Sequence, residues 1–247
     1  MKIITVVQAR LASTRLPRKV LAQLTPQHTS FSFLKDRIEN ANHDSIWLAT
    51  SNRDEDVELI EIAQGWGWQT LRGSENDVLS RFVSICLIEN PDWIIRVTAD
   101  NPLTHKDGLN LLVEQAACAP NSIGYISDFI ERQSPQGALP EIVRPQQLMH
   151  ISKLQLPSHH KVHVTSAIVE FGFGVEKIRL NEEFPSRPDW RWTVDEQIDL
   201  DFVRALCLSI GSDAIKKSYQ ELVQHIDSNL WLSSINKNAR VKSIQEG

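Results

Sequence analysis

Short strand-like runs alternate with amphipathic helical runs through the first half of the chain, and this alternation restricts the fold more than any other feature. "KIITVV", "SIWLA", "WQTLR", "DWIIRVT" and "SIGYIS" are rich in β-branched and aromatic residues. Between them, "FSFLKDRIENA", "DEDVELIEIAQGW", "NDVLSRFVSICLIE" and "HKDGLNLLVEQAACA" repeat apolar side chains at three- and four-residue spacing. Parallel strands require long crossovers, and right-handed crossovers lay helices over both faces of the sheet. The expected class is α/β, with a mostly parallel sheet covered on both faces. Such sheets bind ligands beyond the carboxyl ends of their strands.

The pattern changes near residue 128. "DFIERQSPQGALPEIVRP" is polar and rich in turn formers, and helical stretches follow around 145–154 and 158–170. "GFGVEKIRL" reads as a strand, so 128–188 is expected to form a small inserted subdomain. "WRWTV" then reads as a return to the sheet, with "EQIDLDFVRALCLSI" as its helix. Residues 211–247 are expected to be a helical extension, with a helix at about 213–226 and a polar end. No internal repeat or low-complexity tract is visible.

The turn after the first strand, "QARLASTRLPRK", holds Arg10, Arg15, Arg18 and Lys19 and no acid. A close row of like charges repels itself, so an anion belongs there. Charge balance narrows the choice. The 247-residue chain carries −5, but residues 1–35 hold six Lys/Arg and no acid, leaving 20 basic and 31 acidic residues elsewhere, or −11. A local positive patch on a repelling background suits a small anion better than a nucleic acid. No apolar run approaches the roughly 18 residues needed to span a bilayer, and no secretory leader opens the chain. Cys86, Cys118 and Cys207 lie far apart in apolar helical contexts and read as buried free thiols, as in a reducing cytoplasm.

The turn lacks the glycine spacing of a P-loop or a dinucleotide fingerprint. It offers the Ser13 and Thr14 hydroxyls, loop amides and long cationic side chains, and Arg binds phosphate oxygens with two parallel hydrogen bonds. A solvated basic loop fits the charges as well. In "WIIRVTADNP" an apolar strand delivers Asp100 to its end, where a carboxylate can ligate Mg²⁺ or cap a helix. Asp195 in "WRWTVDEQIDLDF" has the same two readings, while Asp199 and Asp201 read as solvated. "DED" at 54–56 matches the Asp-x-Asp metal motif of many glycosyltransferases but opens an amphipathic helix, where acids favour the dipole. "HHKVH" brings His159 or His160 within helical reach of His163, without a cysteine or nearby acid to complete a zinc set.

Taken together, these motifs resemble a known family. "QARLASTRLPRKVL" is similar to the N-terminal signature of sugar-activating cytidylyltransferases, the 3-deoxy-manno-octulosonate cytidylyltransferases in particular. "RGSENDVLSR", "IIRVTADNPL" and "WTVDEQIDLDFVRAL" resemble the spore-coat polysaccharide branch of that superfamily. The likeness spans about residues 1–210 and implies a Rossmann-like fold of the nucleotide-diphospho-sugar transferase type. It implies a CTP triphosphate loop of Arg10, Ser13, Arg15 and Lys19, with Gln8 and Ala9 at the base. Arg72, Ser74, Asp77 and Arg81 match the second nucleotide-side stretch, and Asp100 and Asp195 match the family's Mg²⁺ ligands.

Where relatives carry Pro-Asp-Gly-Leu-Asp-Val-Glu, this chain has "PQGALPE". It keeps Pro135, Gly137 and Glu141 and places Gln136 and Leu139 at the aspartate positions. Where they carry Glu-His-Val-Thr, it has Val162 before His163. Gln136, Glu141 and His163 are thus the expected acceptor-side residues. The resemblance implies a cytidylyltransferase that joins CTP to a sugar or sugar acid and releases pyrophosphate, with Arg10, Lys19, Asp100 and Asp195 as catalytic residues. It also implies a homodimer paired through 128–188. The competing readings are a glycosyltransferase using "DED" and a nucleotide-binding protein without transfer activity.

Overall fold

A computed structural model describes residues 1–240. The chain runs β1 (Ile3–Gln8), a short hairpin of β2 (Gln23–Thr25) and β3 (His28–Thr29), and then α1 (Ser30–Ile38). β4 (Ser45–Ser51), α2 (Val57–Gly65), β5 (Gln69–Gly73), α3 (Val78–Glu89), β6 (Trp93–Thr98) and α4 (Lys106–Cys118) follow. Next come β7 (Tyr125–Ser127), β8 (Glu141–Val143), α5 (Pro145–Ile151), α6 (Ser158–His163), α7 (Ser166–Phe171) and β9 (Val175–Lys177). The last elements are α8 (Gln197–Ile210), α9 (Tyr219–Asp227) and α10 (Trp231–Ile235).

Seven strands form one sheet in the order β5-β4-β1-β6-β8-β7-β9. β5, β4, β1 and β6 are parallel, whereas β8 runs antiparallel to both β6 and β7. The expected mostly parallel α/β sheet is therefore present. Successive side chains of a strand point to opposite faces, and both faces are apolar. From β1, Ile3 and Val7 join the larger core with α1, α2, α4 and α8, while Ile4 and Val6 join a second core with α3, α5 and α7. The chain moves outward from β1 to β4 and β5, then crosses to the other side of β1 through α3. This reversal makes the carboxyl ends of β1 and β6 the topological switch point.

Residues 128–188 supply β8 and β9 to this same sheet, and α5 and α6 pack on α3. The expected strand at "WRWTV" does not form. The segment makes one isolated bridge, Gln136 to Arg191, and its amides go elsewhere: Trp192 and Thr193 donate to the Gln136 carbonyl, and Val194 donates to that of Asp100 at 2.7 Å. Its aromatic content serves the core instead, since Trp192 is buried against Tyr219. The expected tail helix starts later, as a 3₁₀ turn (Ser212–Lys216) precedes α9. Cys86 and Cys207 are buried thiols as expected, but Cys118, at the end of α4, is exposed.

Candidate active site

β1 and β6 pair so that Gln8 lies beside Thr98, and beyond these two residues opens a cleft of about 570 Å³. Its walls include Gln8, Ala9, Arg10, Ser13, Arg15 and Lys19. The loop that carries the cations is fastened from within and from outside. The Arg18 amide donates to the Leu11 carbonyl within the loop, and that of Ala9 to the Ala49 carbonyl outside it. Buried Asp56 accepts from the Leu11 amide at 2.7 Å and from the amide and hydroxyl of Ser51. The final aspartate of "DED" is thus a latch under the loop. It neither ligates in the cleft nor merely favours a helix dipole. Arg18 turns away from the cleft to pair with exposed Glu58.

Lys19 is where the two aspartates meet. Its Nζ lies 2.7 Å from Asp100 Oδ2 and 2.8 Å from Asp195 Oδ1. Arg15 adds an ion pair to Asp195 at 3.0 Å. Burial alone would push the Asp195 carboxyl up, but Lys19, Arg15 and Arg191 hold it down at about 2. Burial likewise opposes the charge on Lys19, and the two carboxylates raise its pKa nonetheless. A cation therefore already sits between two carboxylates at the switch point. Two anionic oxygen donors around one cationic position match the requirements of a hard divalent ion, so Asp100 and Asp195 are the residues that would hold one.

Asp195 is braced from behind by residues that the motifs did not single out. Arg191 Nη2 donates to Asp195 Oδ2 at 2.7 Å, its Nε to Asp199 Oδ1 at 2.9 Å, and its Nη1 to Gln136 Oε1 at 3.1 Å. Asp199, expected to be solvated, is fully buried and accepts the amides of Asp195 and Glu196. Asn236 from the C-terminal helices donates to Asp199 at 3.0 Å and to the Arg191 carbonyl at 2.9 Å. Gln136 is thereby tied through one guanidinium to Asp195.

The second nucleotide-side stretch divides. Arg81 lines the cleft although its residue is only 2 % exposed. It donates to the Ala49 carbonyl, and its Nε has no partner among the described residues. Burial, with Arg10 nearby, lowers its pKa to about 10, so the group is still a cation at neutral pH. Arg72, Ser74 and Asp77 are not in the cleft wall. Arg72 braces the carbonyls of Asn52 and Arg53, Ser74 Oγ accepts from the Asp77 amide, and Asp77 caps α3 through the Ser80 amide. Their place in the motif reflects the turn that sets Arg81 in position.

Glu141, an expected acceptor-side residue, lines the cleft together with Gln136. Its carboxylate is taken by Arg96, Tyr125 and Thr165, and burial together with Glu141 raises the Tyr125 phenol well above its usual range. Arg96 continues the chain to Gln8, donating to Oε1 at 3.0 and 3.3 Å. The one signal for Arg96 in the sequence is a cation inside "WIIRVT", at a position facing the same side as Ile94. His163 and Val162 line the cleft, and Leu139 packs over Gly108. Exposed Arg132 lines it too, without an ion pair or hydrogen bond among the described residues.

A parallel switch-point sheet with a cationic loop over two convergent carboxylates defines a nucleotidyltransferase. Residues 4–220 match the family model for cytidylyltransferases, and the chain belongs to that family, whose chemistry is CTP-dependent nucleotidyl transfer. It is 31% identical over its whole length to the protein MJ1063 of Methanocaldococcus jannaschii, covering 99% of that chain. It is 30% identical over 92% of its length to the spore coat polysaccharide biosynthesis protein SpsF of Bacillus subtilis, covering 95% of it. Among solved structures, a cytidylyltransferase from Leptospira borgpetersenii superposes with a TM-score of 0.86 at 25% identity, over 98% of this chain and all of the other. No helix among the described residues is long and apolar enough to cross a membrane.

Proposed function

We propose that the protein transfers CMP from CTP to a sugar-type acceptor, with release of pyrophosphate, in the synthesis of a surface polysaccharide or glycoconjugate. The observation that carries this reading is the junction of Lys19, Asp100 and Asp195 under the cationic loop. The similarity to SpsF supports the polysaccharide setting. Arg10, Arg15, Lys19 and Arg81 bind the triphosphate, and the acceptor hydroxyl attacks the α-phosphorus in line as the bond to pyrophosphate breaks. Most of the catalysis is positioning and charge neutralisation by these side chains. Mg²⁺ held by Asp100 and Asp195 would neutralise charge on the α-phosphate and lower the pKa of the attacking hydroxyl. Exposed Arg132 in the cleft wall, which forms no ion pair among the described residues, favours an acceptor that is itself anionic, such as a sugar acid.

The fully engaged Asp56 weighs against a glycosyltransferase using "DED". Pairing of two chains through 128–188 completes the proposal, and a monomeric mass in solution scattering would contradict that part. The reaction is tested by Mg²⁺-dependent pyrophosphate release, using each of four ribonucleoside triphosphates against a panel of sugar acids and sugar phosphates. Release with CTP and one acceptor is expected. Release with another nucleotide, or CTP binding with no release across the panel, would overturn it.

A further inference from the structure

The end of α6 lines the cleft through Val162 and His163, and a strained residue lies between α6 and α7. Val164 has φ 57° and ψ −61°, a region that costs a β-branched residue on the order of 1–3 kcal/mol. Its neighbours both serve the cleft: His163 lines it, and Thr165 bonds Glu141. Something must hold the two short helices in the relation that this link requires.

At the outer side of the same helix pair, His159 and His160 of α6 meet Glu170 of α7. Among the described residues this is the one trio of His, Cys, Asp or Glu whose ligand atoms converge, all within 4.8 Å of one another. The acid missing from "HHKVH" in the sequence is therefore supplied by the next helix. His160 is 1 % exposed. Its Nδ1 is 2.8 Å from Ser166 Oγ, which leaves Nε2 directed at Glu170 Oε2, 3.2 Å away. The His159 ring stands 4.1 Å from that of His160, centroid to centroid.

We propose that His159, His160 and Glu170 bind a zinc-class divalent ion that clasps α6 to α7. Ligands about 2.0–2.2 Å from a tetrahedral ion lie roughly 3.4 Å apart, and the His160–Glu170 pair already has this spacing. Only His159, half-buried and at the surface edge, has to close. Without an ion, Nε2–H donates to Glu170 and the Ser166 hydroxyl donates to Nδ1. The ion replaces the proton at Nε2, which moves to Nδ1, and Ser166 becomes the acceptor, as an outer hydrogen-bond partner that orients a metal-bound imidazole does. Two imidazoles and one carboxylate select a borderline ion, whereas the all-oxygen pair Asp100 and Asp195 selects Mg²⁺. The two sites are chemically separable, and this one stands whether or not the transfer reaction is as proposed.

The test uses the full chain stripped of metal and titrated with Zn²⁺, and separately with Co²⁺, in excess Mg²⁺ to occupy the oxygen site. Calorimetry and the Co²⁺ visible spectrum are the readouts. One equivalent per chain is expected, with affinity at least about tenfold weaker in His159→Ala and in Glu170→Gln, and with Zn²⁺ raising the melting temperature of the unmodified chain alone. Neither variant removes a fully buried group, so both are expected to fold, as circular dichroism would confirm. Substoichiometric zinc in the unmodified chain, or equal affinity in both variants, would overturn the site.

Discussion

Replacing Lys19 by Met would remove the cation that joins Asp100 to Asp195 while keeping most of the side chain's bulk. Asp100 and Asp195 are about a quarter and a fifth exposed, so water screens them only in part. The fall of the Asp195 pKa from 3.8 to about 2 corresponds to about 2 kcal/mol in favour of the ionised form, at ~1.4 kcal/mol per unit. Burial opposes that fall, and Lys19 leads the groups that cause it. Arg15 and Arg191 would remain on Asp195, but Asp100 would lose its one ion-pair partner among the described residues. Because Arg15 and Arg191 share in that shift, about 2 kcal/mol is the upper bound on the loss, which lowers the melting temperature by at most roughly 4–8 °C for a chain of this size. In chelator, K19M should melt lower than the unmodified chain by up to that amount. Mg²⁺ without nucleotide should restore most of the loss in K19M and change the unmodified chain little, because there Lys19 competes for the same carboxylates. Differential calorimetry with and without Mg²⁺ measures both effects. Equal stabilisation of the two proteins by Mg²⁺ would refute the idea that Lys19 holds the cation position.

Three further outcomes follow from the geometry. Asp56→Ala should lose about 2–4 kcal/mol and raise KM for CTP, since it strands the Leu11 amide and the Ser51 hydroxyl in a buried setting, while Asp54→Asn should alter neither; denaturant melts and initial rates separate them. Gly137→Ala should cost activity more than stability: at φ 87° its Cβ would come 2.5 Å from Asn101 Oδ1, beside Asp100, and an unchanged kcat/KM would count against that close approach. Burial, with Arg37 nearby, lowers His105 to about 4, below its unfolded 6.5. The unfolded chain therefore binds the extra proton first. The contribution is complete above pH 6.5 and is lost as pH falls towards 4, a slope that His105→Asn should lack in pH-dependent melts.

The parallel half of the fold was legible because β1, β4 and β6 are buried on both faces and each helix on one, so apolar spacing alone separates them. "WRWTV" misled for the same reason. Its aromatic content reads as a strand, but Trp192 is a core plug and the backbone is claimed by Gln136 and Asp100. The cleft residues carried by one local motif, Arg10 to Lys19, were visible, whereas the brace of Arg191, Asp199 and Asn236 joins residues as many as 45 apart and leaves no local pattern. Arg72, Ser74 and Asp77 show the converse: a motif can mark the turn that presents one cleft-lining residue, here Arg81. Glu141 and Arg96 pair with each other in the cleft wall, a contact between residues 45 apart that no spacing rule reveals.

CTP and a divalent ion on Asp100 and Asp195 are proposed to share the switch-point cleft. Calorimetric binding of CTP, UTP, ATP and GTP to the unmodified chain and to Asp100→Asn, with and without Mg²⁺, tests this without knowledge of the acceptor. Preference for CTP is expected, tightened at least about tenfold by Mg²⁺ in the unmodified chain and not in Asp100→Asn. Binding of CTP that is indifferent to Mg²⁺ or to the loss of Asp100, or no preference among the four nucleotides, would contradict it.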